Sequence, residues 1–285
     1  MSIGDFHLHS TASDGMHTPE WVMETSHANG IRWLSLTDHD TTDGIEEARS
    51  AAERLGLHLI PGIELSTDLE KTDVHLLGFG IDTESRRLQD YLSWLREGRL
   101  GRTRTAVGIL EGLGVPVRLE RVFEIAGEAT VGRPHLARAL MEAGHVQSVQ
   151  EAFDRYLGDG KPADVPREKL SPKDAIGEVH AAGGVVFVAH AIFIGDDYPA
   201  VVGQFAGWGL DGIEAYYKHY TPQQVADHVA VGRRLGLALS GGSDYHGLGN
   251  PGDREIGDIP FPDEAVHEFL GFLRKAGIDT GDGVS

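Results

Sequence analysis

Short apolar segments alternate with amphipathic helical segments through the first eighty residues of the chain. Strand-like segments lie at 3–8, 31–40, 57–66 and 73–81, and helical segments at 17–30 and 44–56 separate the first three. This βαβα order is typical of a parallel sheet or barrel. The chemistry of α/β barrels lies where the strands run out, so polar residues at those points are the first candidates for a site.

Helical periodicity dominates from about residue 85 to residue 173, and strands resume with GGVVFVAH at 183–190. We therefore expect a barrel formed by 1–84 and 174–285, which carries the site. The helical insert at 85–173 is expected to cover the barrel mouth. A last short strand is expected at 257–261.

Composition restricts the chemistry further. The 285 residues include no cysteine, which excludes disulfides and thiolate metal sites, so any metal ligands must be histidines and carboxylates. The formal net charge of −19 disfavours duplex nucleic acid but allows a small anionic substrate where metals reverse the potential locally. No signal peptide and no apolar run of ~18 residues is found. A cytoplasmic protein with neither a membrane nor a protein partner is therefore expected.

Polar motifs recur where the strands run out. His7 and His9 are two residues apart, and Asp244 and His246 repeat this spacing. Residues i and i+2 of a strand face the same side, so each pair can bind one ion. One such motif alone is more often structural, whereas their joint occurrence indicates a metal site. The full set is His7, His9, Asp14, Asp38, His39, Asp40, Glu64, His75, His190, Asp244 and His246.

Six stretches together resemble the polymerase and histidinol phosphatase (PHP) family of metal-dependent phosphoesterases. They are FHLHSTASDG, LTDHD, GIELS, VHLLGFGID, VAH and GSDYHG. The resemblance extends over essentially the whole chain. It implies an α/β fold, a distorted (β/α)7 barrel of the PHP type with an inserted helical subdomain. It also implies three divalent metal ions, with manganese expected first and iron or zinc as alternatives.

The family's ligand order implies how nine residues hold these ions. The first ion is held by His7, His9, Glu64 and Asp244. The second ion shares Glu64 and adds His75 and His190. The third ion is held by Asp14, His39 and His246. Two further carboxylates, Asp38 and Asp40, are catalytic candidates that orient ligand histidines or the incoming water. Ala191 stands where many family members have proline, which changes loop stiffness rather than the supply of ligands.

The insert narrows the implied reaction. REGRLGRTR and VGRPHLARAL resemble the subfamily that removes the 3′-phosphate from nucleoside 3′,5′-bisphosphates, some members of which trim RNA from a 5′-monophosphate end. Metal coordination lowers the pKa of water from about 15.7 towards ~7, and two ions can share a hydroxide. We therefore expect a bridging hydroxide to convert a substrate such as adenosine 3′,5′-bisphosphate to AMP and phosphate.

A bisphosphate substrate needs a second anion pocket, which guanidinium groups are suited to form. The substrate-binding candidates are Arg102, Arg104, Arg133, His135 and His219. Arg133 opens a predicted helix, where backbone N–H groups favour anions; Arg102 and Arg104 fit a solvated helix face equally well. The lysines Lys161 and Lys218 are interpreted as solvated. Three aromatic residues, Phe193, Tyr216 and Tyr217, are interpreted as core residues rather than as base-stacking groups.

Three other functions remain open. A 5′-3′ exoribonuclease would use the same metals on short single-stranded 5′-phosphorylated RNA. A histidinol-phosphate phosphatase is disfavoured by the arginine-bearing insert, because a small monophosphate needs no second anion pocket. A non-catalytic PHP module, as found attached to polymerases, is least favoured because all nine ligand positions are filled.

Overall fold

The computed structural model describes residues 1–69, 72–127, 131–158, 160–165, 170–247 and 255–281. The chain divides into two compact units. The first consists of residues 1–89 and 169–285, and the second of residues 90–168. These bounds lie a few residues from the expected insert of 85–173, and the place of the insert over the barrel mouth stays a prediction.

Seven strands are found among the described residues. They are β1 (Gly4–Leu8), β2 (Trp33–Leu36), β3 (His58–Leu69), β4 (Thr72–Phe79), β5 (Val185–Val188), β6 (Gly212–Tyr217) and β7 (Ala238–Gly242). They form one sheet in chain order. A parallel bridge joins Leu8 at the end of β1 to Tyr245 after β7. The sheet is thereby a nearly closed barrel, which confirms the predicted distorted seven-stranded α/β fold.

The barrel departs from parallel pairing at β4. This strand is antiparallel to β3 over eight residue pairs and antiparallel to β5 as well. Only residues 70 and 71 separate β3 from β4, and a parallel connection needs a far longer crossover. Glu64 and His75 therefore lie within strands. The expectation that the polar motifs lie where the strands run out is wrong for these two residues.

The described residues form ten α-helices. They are α1 (Pro19–Ala28), α2 (Ile45–Leu55), α3 (Arg86–Gly112), α4 (Leu119–Ala126), α5 (Arg133–Glu142), α6 (Val149–Ala152), α7 (Pro172–Ala181), α8 (Tyr198–Ala206), α9 (Pro222–Leu235) and α10 (Asp263–Lys275). Capping residues determine where several of these helices begin or end. The Thr18 hydroxyl accepts from the Trp21 N–H at the start of α1, and Gly56 ends α2 with a φ of 68°. Among the described helices, none combines the length and the hydropathy of a transmembrane span.

The short strand expected at 257–261 does not form. The chain makes turns and bends there instead. Pro260 lies within the segment, and a proline has no N–H to donate to a neighbouring strand. The prediction of a strand from this apolar run did not account for the missing N–H of the proline.

Each unit has its own apolar core. In the first unit, the ring of Phe269 on α10 packs against Phe6, Phe79 and Phe187 on three strands, with ring centroids 4.6 to 5.4 Å apart. Full burial of each ring stabilises the fold by about 1.5–3 kcal/mol. The second unit buries a separate cluster that includes Leu110, Val122, Leu136, Leu140 and Leu157.

Candidate metal centre

The carboxylate of Glu64 lies at the centre of the predicted ligand set. It is 1% exposed, and five imidazoles surround it. Its oxygens lie 3.1 Å from Nε2 of His7, of His9 and of His190, 2.9 Å from Nδ1 of His75 and 3.2 Å from Nδ1 of His39. Strands that run in opposite directions thus direct their side chains to one point.

The predicted ligands fall into three overlapping groups among the described residues. Within each group, one donor atom per residue lies within 4.8 Å of all the others. The groups are His7, His9, Glu64 and Asp244; His39, Glu64 and His75; and His9, Asp14, His39 and His246. The first group has the same members as the predicted shell of the first ion. The other two groups differ from the prediction, because His39 belongs to both of them and His190 belongs to none. The division of nine ligands among three ions stays a prediction.

The buried ring nitrogens of two imidazoles test whether this set fits a metal. Neither ring nitrogen of His9 has a partner in hydrogen-bonding geometry, although oxygens of Glu64 and Asp244 lie 3.1 Å from its Nε2. Nδ1 of His39 also lacks such a partner. A buried polar atom without a hydrogen bond costs about 1–3 kcal/mol. A cation between these nitrogens and carboxylates would satisfy both, so the residues fit a divalent metal.

The electrostatics keep the carboxylates ionised. Burial alone would raise the pKa of Glu64, but the imidazoles of His39, His7 and His75 hold that pKa well below its usual range. Burial would also raise the pKa of Asp244, but neighbouring groups, chiefly His7, hold that pKa well below its usual range. Burial lowers the pKa of His39 to about 3, although the negative charges of Glu64 and Asp14 oppose this shift.

Glu214 is a functional residue that the sequence analysis missed. It is fully buried in β6, accepts a hydrogen bond from Nδ1 of His7 at 2.9 Å and accepts another from the N–H of His190 at 2.7 Å. Because Nδ1 faces Glu214, Nε2 is the nitrogen of His7 that is left to bind a metal beside Glu64. Carboxylates that hold histidines in this way fix the tautomer and orientation of a metal ligand. The signal in the sequence was a single acidic residue within the apolar strand GIEAYY.

Asp38 and Asp40 lie beside the ligands but contact the backbone and serines. Asp38 accepts from the N–H and hydroxyl of Ser10 and from the hydroxyl of Ser13, which lie between His9 and Asp14. Asp40 accepts from the Ser66 N–H at 2.9 Å. These bonds tie ligand-bearing segments together, and a catalytic role for either residue stays a prediction.

The predicted arginines lie in the second unit. Arg102 and Arg133 line one cavity of about 20 Å³. Arg133 also donates to the carbonyl of Leu157 at 3.3 Å. Arg104 is exposed. His135 is buried, and its Nδ1 accepts from the Gly132 N–H at 3.0 Å, so this side chain caps the start of α5.

The exposure of two residues near the ligand cluster differs from the prediction. Lys218 is only 9% exposed and donates to the carbonyl of Asp244, so its interpretation as a solvated lysine is wrong. Tyr216 and Tyr217 are buried as expected, but Phe193 is 63% exposed, so its interpretation as a core residue is wrong. His219 is exposed, with its ring centroid 5.7 Å from that of Tyr217.

Comparison with known proteins decides the family. A PHP domain model matches residues 5–89. A 5′-3′ exoribonuclease from Haemophilus influenzae is 36% identical over 249 residues, which cover 85% of this chain and 89% of that protein. The chain belongs to the PHP family.

Two further comparisons extend along this PHP chain. A 3′,5′-nucleoside bisphosphate phosphatase from Chromobacterium violaceum is 34% identical over 263 residues, covering 90% of the chain and 92% of that protein. A structure from Bifidobacterium adolescentis, assigned as a metal-dependent phosphoesterase, has a TM-score of 0.84 at 31% identity and covers 95% of this chain and 96% of its own. This PHP chain is a metal-dependent phosphoesterase.

Replacing Glu214 is expected to weaken metal binding without unfolding this PHP protein. Glu214→Gln keeps the shape but removes the charge that orients His7 and His190, so metal affinity should fall by about 10–100-fold. Competition with a metal-sensitive chelator measures this affinity. Asp211→Asn is the matched control, because Asp211 accepts from His180 Nε2 at 2.8 Å outside the ligand cluster. Equal affinity in wild type and Glu214→Gln would contradict the role.

The metal-free protein is expected to lose stability as the pH rises. Burial lowers the pKa of His75, but Glu64 and Asp73 outweigh it and raise this pKa from 6.5 to about 9. The folded state therefore holds a proton that the unfolded state releases between these values, and the free energy of unfolding falls through this window. Urea titrations in EDTA from pH 6.5 to 9 measure the slope. His75→Gln should make this slope shallower without abolishing it, because the pKa values of His7 and His246 are also raised. A wild-type stability that rises with pH would refute the assignment.

Proposed function

We propose that this chain hydrolyses the 3′-phosphate of nucleoside 3′,5′-bisphosphates and releases a nucleoside 5′-monophosphate and phosphate. The observation that carries the proposal is the convergence of six histidines and three carboxylates on one end of a phosphoesterase barrel. The similarity to a bisphosphate phosphatase over 90% of the chain supports the choice of substrate.

In this proposal, the nine predicted ligands hold three divalent ions, with manganese as the first expectation. Such ions supply Lewis acidity and a nucleophile at neutral pH. Six positive charges from the ions would exceed three negative charges from Asp14, Glu64 and Asp244. The site would then attract a phosphate although the chain as a whole carries −19.

The protein's own groups hold this arrangement in place. The hydroxyl of Tyr217 donates to Oδ2 of Asp244 at 2.9 Å, and Lys218 donates to the carbonyl of the same residue. Burial and the negative charges of Asp244 and Glu214 raise the pKa of Tyr217 far above its usual value. Its hydroxyl therefore stays protonated and remains a donor. For Asp38 and Asp40, the bonds to neighbouring segments favour a role in orienting the ligands.

The second phosphate of the substrate needs its own cations. We assign it to Arg102 and Arg133, because the two residues are neighbours and a guanidinium binds phosphate through two parallel hydrogen bonds. The exposed Arg104 and His219 remain candidates for weaker contacts. The capping bond of His135 supports a role in holding the start of α5, next to Arg133.

A second candidate function is 5′-3′ exoribonuclease activity on short 5′-phosphorylated RNA. The similarity to the Haemophilus influenzae exoribonuclease favours it. The same ligands would serve both reactions, since each cleaves a phosphate ester next to a nucleoside. The acidic surface favours a substrate of few nucleotides over long RNA.

Turnover of adenosine 3′,5′-bisphosphate tests the proposal. Manganese-loaded protein should release phosphate and 5′-AMP, identified by chromatography. His190→Ala should lower the turnover by about 100-fold or more, because a lost ligand costs at least as much as a lost ligand partner. Circular dichroism checks that this variant is folded. No release from the bisphosphate would refute the proposal. Shortened 5′-phosphorylated RNA would then favour the exoribonuclease, and phosphate from histidinol phosphate would favour a histidinol-phosphate phosphatase.

The arginine assignment predicts a substrate-dependent effect on KM. Arg133→Ala should raise KM for the bisphosphate by about 10-fold or more, the cost of a charged hydrogen bond, and leave KM for p-nitrophenyl phosphate unchanged. Arg138→Ala on the same helix is the control. An equal change for both substrates would show that Arg133 does not bind the second phosphate.

A further inference from the structure

Phe193 contributes little to the buried core of the fold. Its side chain is 63% exposed, whereas the other nine phenylalanines are buried or half-buried. A single exposed apolar side chain is ordinary on a protein surface. The position of this one is not ordinary, because it lies on the 3-10 helix Ala191–Ile194 directly after His190.

The ring of Phe193 lies beside the ligand cluster. Its centroid is 5.2 Å from that of His190 and 6.0 Å from that of Tyr217, and the planes meet at 61° and 87°. His190 contacts Glu64, and Tyr217 donates to Asp244. These edge-to-face contacts hold the ring from the side of the cluster and leave most of it open to solvent.

The turn that carries Phe193 is fixed by several hydrogen bonds. His190 has a positive φ of 26°, and its N–H donates to the buried Glu214. The N–H of Ile192 donates to the hydroxyl of Tyr220 at 3.3 Å, and the N–H of Phe193 donates to the carbonyl of His190 at 3.1 Å. An aromatic ring held in place before binding loses little entropy when a partner stacks on it.

We propose that Phe193 stacks on the nucleobase of the substrate and thereby restricts the substrates to phosphate esters of nucleosides. The inference rests on the proposed function, since it requires a phosphoryl group at the ligand cluster. The base of such a substrate lies one sugar away from that group. Because every base presents a π-face, the stack selects for a base without selecting which base.

Direct binding separates this inference from the reaction. The probes are AMP and ribose 5-phosphate, which differ by the base alone, titrated calorimetrically into wild type, Phe193→Leu and Phe193→Trp. Phe193→Leu should weaken AMP binding by roughly 10-fold, the effect of losing one aromatic stack, and leave ribose 5-phosphate binding unchanged. Phe193→Trp should restore AMP binding. Leu113→Ala, at another exposed apolar side chain, is the control.

Each outcome decides the inference. If Phe193→Leu weakens both probes equally, or neither, the stacking role is overturned; equal weakening would place the effect at His190 instead. If AMP, GMP, CMP and UMP lose affinity to a similar extent, selection for a base without preference among bases is supported. The proposed function fails separately, if the bisphosphate is not hydrolysed while AMP binding still depends on Phe193.

Discussion

One buried carboxylate determines how the strands of this barrel can meet. Glu64 faces imidazoles from β1, from the segment after β2, from β4 and from the segment after β5. A charge so far from water must be compensated. Without metal, protons compensate it, which is why Glu64 and Asp73 raise the pKa of His75 to about 9 despite burial. Metals would bind the same nitrogens, so metal binding and proton release are coupled at this site.

Backbone strain is concentrated around the same point. Among the described residues, three non-glycine residues have a positive φ, Asp40 at 52°, His190 at 26° and Asp244 at 46°. Such conformations cost about 1–3 kcal/mol each and persist only where neighbours enforce them. The N–H of Asp40 donates to the carbonyl of Glu64, and Glu214 accepts from the N–H of His190. These hydrogen bonds therefore hold the strained backbone in place and also position the ligand side chains.

The sequence predicted most of the barrel because its signals were local. Helix caps such as Thr18, and paired histidines such as His7 and His9, depend on residues a few positions apart. The direction of β4 was missed because strand periodicity does not record direction, although the two-residue connection to β3 carried that information. Glu214 was missed because its partners are brought together only by the closed barrel.

Two side chains near the ligand cluster, neither of them a predicted ligand, have an exposure that is unusual for their residue type. Lys218 is buried where lysines are normally solvated, and Phe193 is exposed where phenylalanines are normally packed. Both contact Tyr217, with the Lys218 ammonium 5.9 Å from its ring centroid and the Phe193 centroid 6.0 Å from it. Folding alone would favour the opposite placement of each. In the proposed function, this edge of the barrel would bind the substrate, with a cation supporting Asp244 on one side and an open aromatic ring on the other.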